Sequence, residues 1–334
     1  MKKFTIFFLI IVFNLKINAQ TTLIPDANFE QALINLGLDT APINGSVLTA
    51  NISSVDSLNV GLNNINFMTG IEDFTALTYL NCFDNQIYTL DVTQNLNLKY
   101  LICTLNNLST LDLTQNLMLI DLFCSSNPLN SLDITQNLSL EKLLCGNTGI
   151  SSLNLSQNTS LIHLECYNNQ INALDISQNT FLTYFTCSNN LLTTLNVQNG
   201  NNTNFSFYAS TGNSNLICIQ VDNPLWSNSN WTNIDAIASF STNCSVGITE
   251  SGNKINATIY PSPTKGYFIV DIVNFNPQNN TNILLVDISG KVVLQSHVVK
   301  EFSKIDVSSI PKGFYTLLLR DERYILASKK LVIK

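Results

Sequence analysis

A 21-residue pattern, written six times between residues 77 and 199, constrains the fold of this chain more than any other feature. Four apolar columns run through the copies, and a polar column holds asparagine in every copy but one, where Thr148 replaces it. Each copy also carries a cysteine at the same place: Cys82, Cys103, Cys124, Cys145, Cys166 and Cys187. No single copy of such a pattern can bury its own apolar face, so the repeat predicts a solenoid of stacked units.

The first copy reads Leu77-x-x-Leu80-x-Cys82-x-x-Asn85-x-Ile87, and a degenerate copy, Leu58-x-Val60-x-x-Asn63-x-Ile65, precedes it. This phrase resembles the leucine-rich repeat. The resemblance implies a right-handed, mostly β solenoid with a parallel sheet on its concave side. The N-terminal segment 20–55, in which Phe29, Leu33 and Leu36 recur at helical spacing, predicts a helical cap.

Alternation within each short strand predicts which side chains face the solvent. Leu80 and Cys82 point inward, so the residues before, between and after them, and their equivalents such as Ser125, point outward on the concave sheet. The outward positions vary between copies while the inward ones scarcely change. The ligand-binding candidates on this face are Tyr79, Phe83, Tyr100, Asp121, Phe123, Lys142, His163, Glu165, Tyr167 and Tyr184. Aromatic side chains beside mixed charges favour a recognition surface, although aromatics that only shield the strands remain an alternative.

A second strand-like phrase recurs on the far side of each copy and stacks four carboxylates there: Asp91, Asp112, Asp133 and Asp175. Repeated acidic oxygens make a calcium site conceivable. We favour a solvated convex edge, because Thr and Asn beside the carboxylates are typical of turns.

The eight cysteines divide into two groups. The six periodic ones lie on neighbouring parallel strands, a geometry that suits neither a disulfide nor a tetrahedral metal site, so we expect buried free thiols and no metal. Cys218 and Cys244 fall outside the period and are the predicted disulfide.

The first 19 residues have the pattern of a secretory signal peptide, with Lys2-Lys3 before an apolar run and a small-residue exit at Asn18-Ala19. Removing Lys2, Lys3 and Lys16 from the 16 basic residues leaves 13 against 23 acidic ones, a net charge of −10. Such a surface repels nucleic acid. We expect no membrane span after the signal peptide is removed.

Three phrases near the C-terminus occur in a fixed order: Ile259-Tyr260-Pro261-Ser262-Pro263-Thr264-Lys265-Gly266, Val286-Asp287-Ile288-Ser289-Gly290-Lys291 and Ile310-Pro311-Lys312-Gly313-Phe314-Tyr315. Together they resemble the type A sorting domain of the type IX secretion system of Bacteroidota, with Ser262 where that family usually has Asn. The resemblance implies contact with the secretion machinery through residues 255–334, passage across the outer membrane, and a secreted or cell-surface protein. Period-two alternation in the same stretch predicts an immunoglobulin-like β-sandwich.

The predicted organisation has six parts. They are a signal peptide (1–19), an N-terminal cap (20–55), leucine-rich repeats (56–200), a C-terminal cap (201–245), a linker (246–254) and the sorting domain (255–334). In the C-terminal cap, Trp226 and Trp231 are expected to seal the last repeat with Phe205 and Phe207, although a sugar-stacking pair is the alternative.

The sequence contains no catalytic motif. Its two histidines, His163 and His297, fall in different predicted domains, and no nucleotide or metalloprotease motif is present. We therefore expect a binding module that is not an enzyme and carries no cofactor, and that recognises an extracellular protein or glycan. The alternatives are an adhesin-like spacer of the cell coat and a polysaccharide-recognition accessory protein.

Overall fold

The computed structural model describes residues 20–244, 257–273, 281–298, 300–320 and 325–334. The predicted signal peptide and the predicted linker at 246–254 lie outside the described residues. Within the described ranges, no helix is long and apolar enough to cross a membrane.

The chain opens with a small unit in which strand β1 (Thr21–Leu23) pairs antiparallel with strand β2 (Ser46–Leu48). Helix α1 (Ala27–Asn35) lies between them, and a four-residue helix, α2 (Thr49–Ile52), follows. Asp26 caps α1, since its carboxylate accepts hydrogen bonds from the backbone N–H groups of Asn28 and Phe29. Phe29 and Leu33 are fully buried as the helical spacing predicts, whereas Leu36 is 50% exposed because it lies past the last turn of α1.

Eight short parallel strands form the main sheet, which we call the concave sheet. It contains β3 (Ser57–Asn59), β4 (Tyr79–Asn81), β5 (Tyr100–Ile102), β6 (Asp121–Phe123), β7 (Lys142–Leu144), β8 (His163–Glu165), β10 (Tyr184–Thr186) and β12 (Phe207–Ala209). The strands pair without a register shift, so equivalent residues of successive copies lie side by side. The middle residue of each strand is buried, which confirms the inward direction predicted for the leucine column.

A second parallel sheet covers only the C-terminal part of the far side. It contains β9 (Ala173–Asp175), β11 (Thr194–Asn196), β13 (Cys218–Gln220) and β14 (Ser239–Ser241). In the earlier copies the equivalent phrase, such as Leu90 to Asn95, is irregular or turn-like. The sequence predicts a strand there in every copy. Asp91 and its equivalents accept there from the backbone N–H two residues later, a turn that Asp175 and Asn196 also make at the ends of β9 and β11. The turn therefore follows the phrase in both forms and does not by itself exclude a strand.

Two columns of side chains fill the space between the strands and the turns. The six periodic cysteines are buried and unpaired, as their spacing predicts. The asparagine column beside them is also buried: Nδ2 of Asn106 donates to the carbonyl oxygens of Cys82 and Cys103, and its Oδ1 accepts from the backbone N–H of Ile87. Thr148 takes over one of these contacts, since its hydroxyl lies 2.9 Å from the carbonyl oxygen of Cys145.

A second buried asparagine column, unforeseen from the sequence, lies on the far side: Asn95, Asn116, Asn137, Asn158 and Asn179. Each Nδ2 donates to backbone carbonyls one repeat earlier, as Asn116 does to Val92 and Asn95. Their Oδ1 atoms are buried and meet no hydrogen-bond donor within the described part of the chain. An unmatched buried acceptor offsets part of the gain from the bonds that each Nδ2 donates.

The solenoid continues beyond residue 200, where the sequence places a cap. Strand β12 extends the concave sheet, with Phe207 beside Tyr184, and Asn213 bonds the Cys187 carbonyl and the Leu192 N–H as the asparagine column does. The spacing from Tyr184 to Phe207 is 23 residues rather than 21, which hides this copy in the sequence.

Helix α3 (Pro224–Asn230) and the disulfide close this end of the solenoid. Trp231 is 6% exposed and stacks on Tyr208 at 4.1 Å, and Trp226 is half-buried against the same core. The tryptophans therefore have the core role that we favoured over sugar stacking. The disulfide predicted between Cys218 and Cys244 is confirmed.

The C-terminal residues form two antiparallel sheets. One contains β15 (Ala257–Tyr260), β16 (Tyr267–Ile272) and β19 (Phe302–Asp306); the other contains β17 (Asn282–Val286), β18 (Val292–His297), β20 (Gly313–Arg320) and β21 (Ile325–Ile333). They share an apolar cluster that is separate from the solenoid core. A further small cluster joins Leu284, Val286 and Leu318 to Ile217 and Ile237 at the end of the solenoid.

Candidate ligand-binding surface

The outward side chains of the concave sheet form one continuous surface, which we call the concave surface. All ten candidate residues lie on it, directed away from the cysteine column. Tyr100 is 37% exposed, and the other nine are partly exposed. Phe207 joins them with 37% exposure, although its place in the sequence predicts that it seals the last repeat. Two extra residues between Tyr184 and Phe207 put the last copy out of the 21-residue period, so the period does not predict that Phe207 lies on β12.

The first outward position of each strand forms a file with three sections. Tyr79 and Tyr100 meet at one end, with ring centroids 6.4 Å apart. The ion pair of Lys142 and Asp121, at 3.4 Å, lies in the middle. The other end is a stack of three rings: His163 lies on Tyr184 at 4.1 Å, and Tyr184 lies on Phe207 at 4.7 Å, each pair within 18° of parallel. The file therefore offers aromatic edges at both ends and balanced charge between them.

A carboxylate lies beside the ring stack. Nε2 of His163 lies 2.8 Å from Oε1 of Glu165 on the same strand. Burial, and then the negative charge of Glu165, raises the pKa of the Tyr184 phenol above its ordinary value, so that group stays protonated and can donate a hydrogen bond. The section presents a carboxylate, an imidazole and a phenol within one small area.

The third outward position is shaped by a glycine. A Cβ atom added to Gly146 would lie only 2.7–2.9 Å from three ring carbons of Tyr167, so the Tyr167 ring occupies the space above that glycine. Ser125, on the other side of Gly146, is only 7% exposed, and its hydroxyl accepts from the Gly146 N–H at 3.1 Å. The prediction that Ser125 faces solvent is therefore wrong, because the neighbouring strand supplies a donor that holds its hydroxyl down.

The far side of the solenoid differs in character. Asp91, Asp112 and Asp133 are exposed and use their carboxylates to accept from the next threonine, which lowers the pKa of Asp112 and Asp133. An open depression of about 740 Å³ lies against the second sheet near Asp175 and Gln220. Within the described ranges, no group of three His, Cys, Asp or Glu side chains is placed to hold a metal ion.

Comparison with known proteins identifies the C-terminal part. Residues 258–334 match the family described as the secretion system C-terminal sorting domain, Por_Secre_tail. The chain is therefore an exported protein of the type IX secretion system, secreted or at the cell surface. No curated protein matches the chain.

Solved structures show the fold of the remainder. An internalin, InlF of Listeria monocytogenes, is 21% identical, with a TM-score of 0.51 over 66% of this chain and 71% of that one. The functional domain of InlJ from Listeria monocytogenes, described as including a cysteine ladder, is 18% identical, with a TM-score of 0.37 over 95% of this chain and 99% of that one. The likeness to InlF shows a solenoid that resembles leucine-rich repeat proteins.

Proposed function

We propose that this protein is an exported binding module that captures an extracellular protein or glycan on its concave surface. One observation carries the proposal: the buried columns repeat almost unchanged, while the outward residues of the same strands differ from copy to copy and keep aromatic side chains at the solvent. A structural spacer needs only the buried columns. Aromatic side chains with balanced charge are typical of recognition surfaces.

The same proposal also covers the C-terminal part of the chain and the lack of catalytic activity. Residues 255–334 contact the type IX secretion machinery in a bacterium of the Bacteroidota type, and the mature protein is not an enzyme. The acidic balance of 23 carboxylates against 16 basic residues supports a partner other than nucleic acid.

The finer architecture is also proposed. Helix α1 caps a right-handed leucine-rich repeat solenoid, and the two C-terminal antiparallel sheets are the halves of an immunoglobulin-like sandwich. The burial of Phe29 and Leu33 in the solenoid core supports the cap, and the apolar cluster shared by the two sheets supports the sandwich. The boundaries 20–55, 56–200, 201–245 and 255–334 are the proposed limits of these units.

The test is an array screen with the purified full chain against extracellular proteins and glycans, followed by two variants. Tyr100→Ala and Phe123→Ala should abolish capture of whatever the array identifies, with melting temperatures close to that of the unaltered protein. Tyr88→Ala and Phe181→Ala are matched controls, since both residues are exposed aromatics (50% and 66%) away from the concave strands. Capture that tolerates both concave changes would favour the adhesin-like spacer.

The polysaccharide-accessory alternative depended on exposed tryptophans. Trp231 is buried between Tyr208 and Phe240, and Trp226 packs edge-on against it. Any glycan site on this chain is therefore better sought on the concave sheet.

A further inference from the structure

The ring of Tyr167 lies face-down on the sheet over Gly146. From the Cβ position of Gly146, the tip carbon Cζ is 2.7 Å away and the two flanking carbons are 2.8 and 2.9 Å away, and the phenol oxygen is not among these three nearest atoms. A point almost equidistant from those three carbons lies beneath the ring plane, since an approach from the tip would meet the oxygen first. Only glycine leaves room for this arrangement.

The opposite face of the Tyr167 ring is not stacked on another ring of the described residues. Tyr167 is partly exposed, and none of the ring-to-ring contacts within residues 20–244 involves it. Its neighbours at the same position on adjacent strands are Gly146 and Ser188, which are too small to cover it. In the ring stack of His163, Tyr184 and Phe207, by contrast, both faces of the middle ring, Tyr184, are covered by its neighbours. The exposed part of the Tyr167 ring therefore forms a small apolar platform at the solvent.

A row of side-chain amides borders the platform. Asn147, Asn168 and Asn189 follow three successive concave strands, are exposed, and have positive φ angles of 56°, 52° and 56°. Nδ2 of Asn168 donates to Oδ1 of Asn147 at 2.9 Å, and Nδ2 of Asn189 donates to Oδ1 of Asn168 at 2.8 Å. Within the described part of the chain, Nδ2 of Asn147 and Oδ1 of Asn189 have no side-chain hydrogen bond. The row keeps a donor at the Asn147 end, whereas Oδ1 of Asn189 lies against Gly212, where an added Cβ atom would be 2.1 Å from it.

We propose that Tyr167 and this amide row form a subsite for a neutral saccharide, an inference that rests on the binding function proposed above. A pyranose ring has an apolar C–H face that can lie on an aromatic ring, and hydroxyl groups around its edge that both donate and accept hydrogen bonds. The Tyr167 platform can take the apolar C–H face, and the side-chain amides can bond the hydroxyl groups. The net charge of −7 disfavours a polyanionic glycan.

The experiment is affinity electrophoresis of the full chain in gels containing dextran, yeast mannan, xylan or laminarin, with alginate as the charged comparison. We expect retention by at least one neutral polysaccharide and none by alginate. Tyr167→Ala should weaken binding at least about tenfold, because the platform is lost. Tyr167→Phe should bind within about twofold of the unaltered protein, since the ring face remains.

Gly146→Ala and Asn168→Gly test the two halves of the subsite separately. The alanine should lift the ring and weaken binding, and the glycine should remove one amide while accepting the positive φ. Tyr88→Ala, an exposed tyrosine away from the concave strands, should bind normally. If Gly146→Ala fails to fold, Tyr167→Ala still decides the matter.

No retention by any of the four neutral polysaccharides would overturn the saccharide inference, as would retention unchanged by Tyr167→Ala. Neither result touches the broader proposal, which fails only if Tyr100→Ala and Phe123→Ala leave capture of the array ligand intact. Capture of a protein that depends on Tyr100, with no retention by polysaccharide, would mean that the surface binds protein and that the saccharide subsite is wrong.

Discussion

Nδ2 of Asn127 lies 2.9 Å from the carbonyl oxygen of Cys103, one repeat earlier in the chain. The same nitrogen is 3.0 Å from the carbonyl oxygen of Cys124 in its own repeat, and Oδ1 accepts from the backbone N–H of Leu108. One side chain thus satisfies backbone groups of two successive copies in a place where water has no access. The asparagine column is therefore part of the connection between repeats.

Replacing Asn127 by Ala should lower the free energy of unfolding by about 1–3 kcal/mol, because buried backbone groups lose their partner. The matched control is Asn107→Ala, since Asn107 is exposed and makes no side-chain hydrogen bond in the described structure; its cost should stay within about 0.5 kcal/mol. Urea denaturation of the two variants gives both values. Equal costs would contradict the role assigned to the column.

The periodic thiols should stay reduced in the exported protein. Alkylation under denaturing, non-reducing conditions followed by mass spectrometry should modify the six periodic cysteines and leave Cys218 and Cys244 joined. The same reagent applied to the native protein should modify none of the six, because each is fully buried. A disulfide between any two of them would refute the parallel stacking of the column.

Alkaline solution should destabilise the solenoid. Burial raises the pKa of Cys82 and of Cys124 from 9.0 to about 12, and raises the pKa of the other four periodic thiols as well. The unfolded chain loses these protons near pH 9 while the folded chain keeps them. Stability is therefore fully present below pH 9 and falls as the pH rises toward 12, by up to about 1.4 kcal/mol per pH unit for each thiol.

Denaturation midpoints between pH 7.5 and 10.5, without reductant, measure this dependence. Cys124→Ala should be less stable throughout but should show a shallower decline, by one proton. Tyr208→Phe removes a further deeply buried group whose pKa is raised, so this variant separates the contribution of the phenol above pH 10. A slope unaffected by Cys124→Ala would show that this thiol does not titrate on unfolding.

Deleting residues 255–334 should retain the protein in the periplasm of a Bacteroidota host while leaving the solenoid folded. The match over 258–334 gives the reason for retention, and a solenoid core without any residue from that part gives the reason for folding. Cell fractionation and circular dichroism are the measurements. The truncated chain uncovers Ile217 and Ile237, so its solubility should fall somewhat.

The reciprocal control joins residues 255–334 to an unrelated periplasmic protein, which should then reach the surface. Normal surface delivery of the truncated chain would contradict a sorting role for this segment.

The sequence predicted the buried side of the solenoid well because each inward position must fit the copies above and below it. The burial of Leu80, Cys82 and Asn85 can therefore be predicted from the 21-residue period alone. The outward side is less constrained: Ser125 is covered because Gly146 happens to lie beside it, and no periodicity reports that. Phe207 was misassigned because two extra residues broke the count of 21. Alternation alone also suggests a strand from Leu90 to Asn95, where the structure has none.

The burial of the cysteine column also determines which thiols can be oxidised, and when. An exported chain emerges into an oxidising compartment with all eight sulfurs accessible, and most of their possible pairings are wrong. Each coil that docks onto the stack withdraws one sulfur from solvent and keeps it protonated, hence unreactive toward exchange. Once the six repeats are stacked, Cys218 and Cys244 are the two cysteines outside the buried column, and they form the disulfide. In the folded chain, the solenoid thus protects its six periodic thiols from exchange, while Cys218 and Cys244 are joined.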